Sequence, residues 1–325
     1  MPIVQLNHVR KVYDTKVAVE DLSFTIEQGT MFGLLGPNGS GKTSSIRMMI
    51  GITVPDSGSV SLFDKPFTRG VLHRIGYLPE ERGLYKKMNV LDQLVFLGQL
   101  HGLNASVAKK RSYLWCEKLD IAEAIPKKTE DLSKGMQQKI QFIASLLHDP
   151  DLIIMDEPFS GLDPVNAVLL MDTLLDLRRE GKAVLFSTHR MDQVERLCDN
   201  IALIHRGHLV LSGSMGEIKS RYPRNRVQIN FEGNDAFLQH PSIESLKRYS
   251  GHVEIKLRPS ATLADDAQSL LADAVRCARI SRFEVTEPTL EDIFIEKVRE
   301  SSPMKIDGEP SMDELGEPTA SYLDA

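Results

Sequence analysis

A phosphate loop is the clearest chemical motif in the sequence. Residues 36–43 read Gly-Pro-Asn-Gly-Ser-Gly-Lys-Thr, which fits the pattern G-x-x-x-x-G-K-[ST]. Glycines let the backbone curl until successive N–H groups converge on a phosphate, and a following helix adds the partial positive charge of its N-terminus. In such a loop Lys42 would reach the β- and γ-phosphates, and the Thr43 hydroxyl would hold Mg²⁺. The motif therefore predicts a site for a nucleotide.

Two adjacent acids form a second candidate site. Asp156 and Glu157 follow the apolar run 152–155, and acids at the end of a buried strand are costly unless a cation or a proton balances them. We interpret the pair as a Mg²⁺ ligand beside a general base, with solvated turn acids as the alternative. His189 stands at the C-terminal end of another predicted strand, which begins at Ala183. Ligands gather at such strand ends in open parallel sheets, so the phosphate loop favours a functional histidine over a structural one.

Strands and helices of the right kind flank these motifs. The apolar run 31–35 predicts a buried strand before the phosphate loop, and residues 43–50 predict a helix after it. This strand–loop–helix context disfavours the alternative of a chance glycine-rich turn. Residues 3–12 alternate apolar and polar side chains and predict an edge strand that ends next to Tyr13.

The middle of the chain predicts helices. Residues from about 90 to 125 have helical periodicity, which indicates a helical insertion between sheet strands. Ser133 is a natural N-cap for an amphipathic helix whose buried stripe contains Met136, Ile140, Ile143 and Leu147. Taken alone, that stretch predicts only an ordinary capped helix.

Composition narrows the functional classes. A net charge of −6 argues against a dedicated nucleic-acid binder, so we expect no nucleic-acid partner. The three cysteines are far apart and form no metal or disulfide pattern, which favours a reducing cytosol. No signal peptide is visible, and no apolar run approaches the ~18 residues of a membrane span. If the protein serves transport, another chain must supply the membrane path.

The C-terminal third predicts a separate domain. Composition changes near residues 222–226, and a pattern of strands and helices follows that carries no chemical motif. From Ser301 onward the chain is acidic and contains Pro and Gly, which predicts disorder. We therefore expect a first domain over 1–222, a small α+β domain over 223–300 and a disordered tail over 301–325.

The order and spacing of the motifs resemble those of the ATP-binding cassette (ABC) transporter ATPases over roughly residues 3–220. Residues 36–43 are similar to their phosphate loop. Residues 132–138, Leu-Ser-Lys-Gly-Met-Gln-Gln, are similar to their signature sequence, with Lys134 and Met136 where the common form has Gly and Gln. Residues 152–157 resemble the metal-binding strand with the catalytic glutamate.

Shorter motifs carry the same resemblance. Residues 160–163, Ser-Gly-Leu-Asp, match the family's D-loop, and His189 matches the switch histidine. Tyr13 matches the aromatic residue that stacks on adenine. Glu80 follows Gly76-Tyr77-Leu78-Pro79 at the position where the family usually has the Q-loop glutamine. A glutamate there keeps an oxygen that can reach Mg²⁺ and adds a negative charge, which Arg82, Lys86 or Lys87 would offset.

The resemblance implies an α/β fold, ATP and Mg²⁺ as ligands, and ATP hydrolysis. The fold would be a P-loop NTPase ABC cassette with a central, mostly parallel sheet, an antiparallel β subdomain and a helical insertion at about 88–148. Glu157, His189 and Lys42 would be catalytic, and Thr43, Asp156 and Glu80 would bind the metal. The nucleotide-binding residues would be Tyr13, Gly36, Pro37, Asn38, Gly39, Ser40, Gly41, Lys42, Thr43, Ser44, Glu80, Ser133, Gly135 and Asp163.

The resemblance also implies partners. Two cassettes would hold ATP between them, so one partner would be a second copy or a homologous ATPase. The other partner would be a membrane permease, and this chain would be a peripheral subunit on the cytoplasmic face of the inner (cell) membrane. The C-terminal part is similar to an accessory domain on ATPases of sodium- and drug-export systems. The alternative is a soluble ABC-superfamily ATPase with a regulatory role. A regulator that binds ATP without turnover would be expected to lack Glu157 or His189, and both are present.

Overall fold

The computed structural model describes residues 1–81, 83–258 and 262–301 of the chain. These form two compact units, residues 1–214 and residues 215–301. The change of unit therefore falls eight residues before the boundary at residue 222 that composition predicts. Apart from Ser301, the tail predicted to be disordered lies outside the described residues. None of the helices in the described part of the chain combines the length and hydrophobicity that a bilayer crossing requires.

The first unit is built around one long sheet. The elements, in chain order, are β1 (Pro2–Tyr13), β2 (Lys16–Glu27), β3 (Met31–Leu35), α1 (Lys42–Met49), β4 (Ser57–Leu62), β5 (Lys65–Pro66), β6 (Ile75–Leu78), α2 (Val90–Leu100), α3 (Ala105–Lys118), α4 (Lys134–Leu146), β7 (Leu152–Asp156), α5 (Pro164–Arg179), β8 (Ala183–Thr188), α6 (Met191–Leu197), β9 (Asn200–His205) and β10 (His208–Ser214). The strands lie in the spatial order β5-β4-β1-β2-β10-β9-β3-β8-β7-β6.

The parallel part of this sheet brings the chemical motifs to one edge. Strands β9, β3, β8, β7 and β6 run parallel in that spatial order. Leu35 pairs with Thr188, and Asp156 pairs with Ser187, so these strands end side by side. Strands β3, β7 and β8 are buried along their whole length, as expected for parallel strands covered on both faces. The residues that follow each strand therefore converge.

The prediction that the first strand lies at a sheet edge is wrong. β1 pairs antiparallel with β2 on one side and with β4 on the other. Alternating hydrophobicity reports which face of a strand is buried, and it carries no information on whether both edges are hydrogen-bonded. The antiparallel subdomain is present as predicted, and β9 pairs antiparallel with β10.

The predicted helical insertion is present as two helices. α2 and α3 are separated by a turn in which Gly102 adopts φ 89°. Ser133 caps α4, because its Oγ accepts the Met136 N–H at 3.2 Å. Of the predicted stripe, Ile140, Ile143 and Leu147 are buried and Met136 is half-buried.

The second unit is a small α+β structure. Its elements are α7 (Met215–Ser220), β11 (Arg226–Gly233), β12 (Ile243–Tyr249), β13 (His252–Leu257), α8 (Leu263–Cys277), β14 (Ala278–Thr286) and α9 (Leu290–Ser301). An antiparallel sheet in the order β12-β13-β11-β14 shares its core with α8. The sequence pattern does not predict β12, because most of its side chains are exposed.

Close packing at Gly76 generates the first prediction. A methyl group there would lie 2.2 Å from the Ser145 carbonyl oxygen and 2.9 Å from Pro150 Cγ. Gly76→Ala should therefore push β6 away from the end of α4 and destabilise the protein by about 1–3 kcal/mol. The matched control is Gly70→Ala, where the nearest atom lies 3.8 Å away. Calorimetric melting temperatures that are equal for the two variants would contradict this account.

Candidate functional site

A cleft at the C-terminal edge of the parallel strands contains most of the predicted site residues. Its volume is about 380 Å³. Residues from the phosphate loop, from the strand end at Asp156 and from the antiparallel subdomain meet there. The lining residues are Tyr13, Lys16, Ala18, Asn38, Gly39, Gly41, Lys42, Thr43, Ser44, Glu80, Asp156 and Glu157.

The backbone of the phosphate loop leaves no room for a side chain at two of its glycines. Gly41 is the N-cap of α1 and has φ 114°, and a Cβ atom on it would lie 2.5 Å from the Ala18 carbonyl oxygen. A Cβ atom on Gly36 would lie 2.2 Å from the Ile204 carbonyl oxygen. The buried Ser40 hydroxyl in this loop has no hydrogen-bond partner among the described residues. These features fit a loop that wraps a phosphate with its own backbone.

Lys42 lies under the phosphate loop with only 6% of its surface exposed. Its Nζ donates hydrogen bonds to the carbonyl oxygens of Gly36 at 2.7 Å and Pro37 at 3.2 Å. Burial lowers the pKa of Lys42, and the carboxylates of Glu157, Asp156 and Glu80 oppose that shift. The chain thus holds a buried cation close to three acids, at the position where a triphosphate would bring further negative charge.

Hydrogen bonds to the Asp156 carboxylate connect three elements. Its Oδ2 accepts a hydrogen bond from Thr43 Oγ1 at 2.7 Å, and its Oδ1 accepts one from the Ser187 hydroxyl. Thr43 belongs to α1, Asp156 ends β7, and Ser187 lies on β8. A hydroxyl and a carboxylate oxygen side by side are the hard donors that Mg²⁺ prefers. This donor set fits the metal that the sequence predicts.

Glu157 has an unusual backbone conformation. Its φ is 49°, a left-handed value that costs a non-glycine residue on the order of 1–3 kcal/mol and persists only where the surroundings enforce it. Its N–H donates to both the carbonyl and the hydroxyl oxygen of Ser187, each at 3.2 Å. The resulting turn brings Glu157 Oε1 to 2.9 Å from His189 Nδ1 and 3.9 Å from Lys42 Nζ.

His189 is half exposed, whereas Glu157 is almost buried. When His189 Nδ1 carries a proton, it donates a hydrogen bond to the Glu157 carboxylate. Nε2 is then the ring nitrogen that does not contact Glu157. Two residues that were predicted from separate strands are therefore in contact. A base in a buried position and a histidine at its open side form an arrangement that can orient a water molecule beside a phosphate.

Glu80 and Tyr13 lie on the wall of the cleft. Tyr13 is 36% exposed, with Lys11 Nζ 5.6 Å from the centre of its ring. Arg82, which could offset the charge of Glu80, lies outside the described residues, so its role stays a prediction. The carboxylate of Glu80 is one of the three that oppose the lowering of the Lys42 pKa by burial.

Three predicted residues lie away from this cleft. Ser133 is exposed at the start of α4, Gly135 follows it, and Asp163 is exposed at the start of α5. Asp163 accepts the Asn166 N–H at 3.0 Å, and hydrogen bonds from Asn166 lower the pKa of its carboxyl group. None of the three lines the cleft. Gly36, Pro37 and Ser40 belong to the loop without lining the cleft, and the first two hold Lys42 through their carbonyl oxygens.

Two buried glutamines on α4 support the site and were missed by sequence analysis. Gln138 Nε2 donates to the Pro158 carbonyl oxygen at 3.1 Å, directly after Glu157. Gln141 Nε2 donates to the carbonyl oxygens of Pro79 at 3.2 Å and Glu81 at 3.1 Å, on either side of Glu80. The only signal for them is that polar residues fall on the buried side of an amphipathic helix. Lys16, a further cation that lines the cleft at the start of β2, was missed as well.

Family models match both parts of the chain. Residues 19–160 match the model described as ABC transporter. Residues 213–298 match the model described as ATP-binding protein DrrA1-3-like, C-terminal domain. The second match begins next to the start of the second compact unit at Met215.

Two relatives and a solved structure are also similar to this chain. An uncharacterized ABC transporter ATP-binding protein of Bacillus subtilis, YhaQ, is 43% identical over 297 residues, which are 91% of this chain and 98% of the relative. The linearmycin resistance ATP-binding protein LnrL of the same organism is 34% identical, over 90% of this chain and 97% of the relative. A solved ATP-binding subunit of an ABC transporter is 27% identical with a TM-score of 0.63, over 67% of this chain and 92% of its own.

Lys42 generates the second prediction. Lys42→Ala should lower ATP affinity at least about tenfold, because a charge-assisted contact with phosphate contributes roughly 1.5–3 kcal/mol. Equilibrium binding of a fluorescent ATP analogue measures the effect. The control is Lys118→Ala, which removes a lysine that pairs with Asp176 outside the cleft. Equal affinities in the two variants would contradict the role of Lys42 in binding.

Proposed function

Because the chain belongs to the ABC transporter ATP-binding proteins, an ATPase family, we propose that it is the subunit that hydrolyses ATP to power export through a separate membrane permease. The observation that carries the proposal is the meeting of Lys42, Glu157 and His189 at one edge of the sheet, beside the Thr43–Asp156 pair. Binding and hydrolysis both need these groups together, and no single sequence motif supplies all of them.

The phosphate loop and Tyr13 would position the nucleotide. Lys42 would leave the carbonyl oxygens of its own loop and turn to the β- and γ-phosphates. Thr43 and Asp156 would hold Mg²⁺, whose charge neutralises the phosphates when it is bound. Tyr13 is exposed enough for its ring to stack on the adenine base.

Glu157 would act as the general base for hydrolysis. Its carboxylate is almost buried and its backbone is held by Ser187, so it can orient a water molecule and accept its proton. His189 would steady the γ-phosphate from the open side of the site. Lys42 would balance the charge that develops on the phosphate oxygens.

A second cassette would complete the site. Ser133 begins α4 at an exposed position, so the free N–H groups and dipole of that helix can meet the γ-phosphate held by another subunit. Asp163 is exposed at the start of α5 in a comparable way. ATP between two copies, or between this chain and a homologous ATPase, would favour a closed dimer, and hydrolysis would release it.

A membrane permease would supply the path for the transported compound. The chain would then act at the cytoplasmic face of the membrane as a peripheral subunit. Two features support export: the resemblance of the C-terminal part to accessory domains of sodium- and drug-export ATPases, and a relative named for linearmycin resistance. The permease would determine which compound is transported.

The role of Glu157 generates the third prediction. Glu157→Gln should lower the rate of ATP hydrolysis by about 10²–10⁴-fold, because a neutral amide cannot accept a proton from water. ATP binding should persist, and size-exclusion chromatography should show a dimer stabilised by ATP. The control is Glu117→Gln, on the exposed face of α3. A wild-type rate in Glu157→Gln would overturn the assignment of the base.

Glu80 generates the fourth prediction. Thr43 and Asp156 already supply the protein oxygens that Mg²⁺ needs, so Glu80→Gln should leave the Mg²⁺ dependence of ATP hydrolysis intact. It should instead change the stimulation of the ATPase by a reconstituted permease. Glu81→Gln is the matched control, since Glu81 is exposed and does not line the cleft. A shift of the Mg²⁺ titration by several-fold in isolated Glu80→Gln would make Glu80 a metal ligand.

A further inference from the structure

The left-handed backbone of Glu157 needs support on both sides. Glu157 precedes Pro158, and a residue before proline is driven toward extended conformations with negative φ. Its φ of 49° is therefore opposed both by its own side chain and by the proline ring. On its N-terminal side, Ser187 holds the Glu157 N–H through two acceptors. On its C-terminal side the Glu157 carbonyl oxygen accepts the Ser160 N–H at 3.1 Å, and the carbonyl of Pro158 needs a donor of its own.

Gln138 provides that support. Its Nε2 donates to the Pro158 carbonyl oxygen at 3.1 Å, and its side chain is buried, with 4% of the residue exposed. Pro158 is buried as well, so its carbonyl would have no ready access to water if the amide were removed. A buried carbonyl without a donor is costly, and the turn could relieve that cost only by rotating. Since φ of Pro158 is fixed by its ring, the rotation would fall on its ψ angle and on Glu157.

We propose that Gln138 is a positioning residue for ATP hydrolysis. Its amide holds the Pro158 carbonyl and thereby keeps Glu157 in the left-handed conformation that brings the carboxylate close to His189 and Lys42. The inference rests on the proposed role of Glu157 as the general base. Gln138 would contact neither ATP nor the attacking water and would act only through Glu157.

The position of Gln138 on α4 also connects Glu157 to the start of that helix. α4 begins next to Ser133, which the proposed function places against the nucleotide of a second subunit, and Gln138 lies about one and a half helical turns further on. One turn beyond it, Gln141 holds the backbone on both sides of Glu80. A single helix thus links the contact with the partner's nucleotide to the acids of the chain's own cleft.

The test is a variant of Gln138 in the full chain. Gln138→Met keeps the length of the side chain and removes the donor. We expect kcat to fall about tenfold, while KM and equilibrium ATP affinity stay within about twofold. The matched control is Lys139→Met on the same helix, because Lys139 is buried and its Nζ donates to the Leu119 carbonyl oxygen, away from the cleft. That control should lower the melting temperature comparably and leave kcat near the wild-type value.

A double-mutant cycle separates positioning from general damage. In a Glu157→Gln background, Gln138→Met should change the residual rate less than about twofold, because its effect in the wild type passes through the missing carboxylate. An equal loss of rate in both backgrounds, or an unchanged kcat in the single variant, would overturn the proposal. If Gln138→Met does not fold, Gln138→Asn shortens the reach of the amide and should give the same pattern. A wild-type rate in Glu157→Gln alone would refute the proposed base instead.

Discussion

The buried carboxylate of Asp156 is the group on which the rest of the site depends. With 1% of its surface exposed, it would be expensive to keep charged without partners. Hydroxyl groups of Thr43 and Ser187 supply them, one from the helix after the phosphate loop and one from the neighbouring strand. Satisfying this one carboxylate therefore fixes α1, β7 and β8 relative to one another. The phosphate loop leads directly into α1, and Glu157 and His189 directly follow β7 and β8.

A second layer of contacts fixes the backbone rather than the functional side chains. Ser187 holds both Asp156 and the N–H of Glu157, and the glutamines of α4 hold carbonyl oxygens beside Glu157 and Glu80. Ser187 and the two glutamines are buried, so water competes little for the groups that they bind. The acids can then face the open cleft while the chain around them stays in one conformation.

Much of the fold and of the cleft could be predicted from the sequence because the patterns are local. Apolar runs identified the central strands, the glycine pattern identified the loop, and Ser133 identified the start of α4. The features that the sequence did not predict depend on contacts between residues far apart in the chain. The partners of β1 on both edges and the acceptors of Gln138 and Gln141 are set by packing between segments up to 62 residues apart. A periodic pattern reports burial and cannot report which group a buried amide will meet.

The close contact between the phosphate loop and the strand behind it changes how substitutions in that loop should be interpreted. The backbone of β2 at Ala18 lies directly behind Gly41, and it also lies close to Gly207, where a Cβ atom would be 3.1 Å from the same carbonyl oxygen. A Cβ atom on Gly41 would also lie 3.3 Å from Cγ2 of Val19, the next residue of this strand. The need for glycine at 41 is thus imposed by the rear wall of the site as well as by the ligand in front of it. A substitution there would displace that wall, so a loss of nucleotide affinity would not by itself identify a phosphate contact.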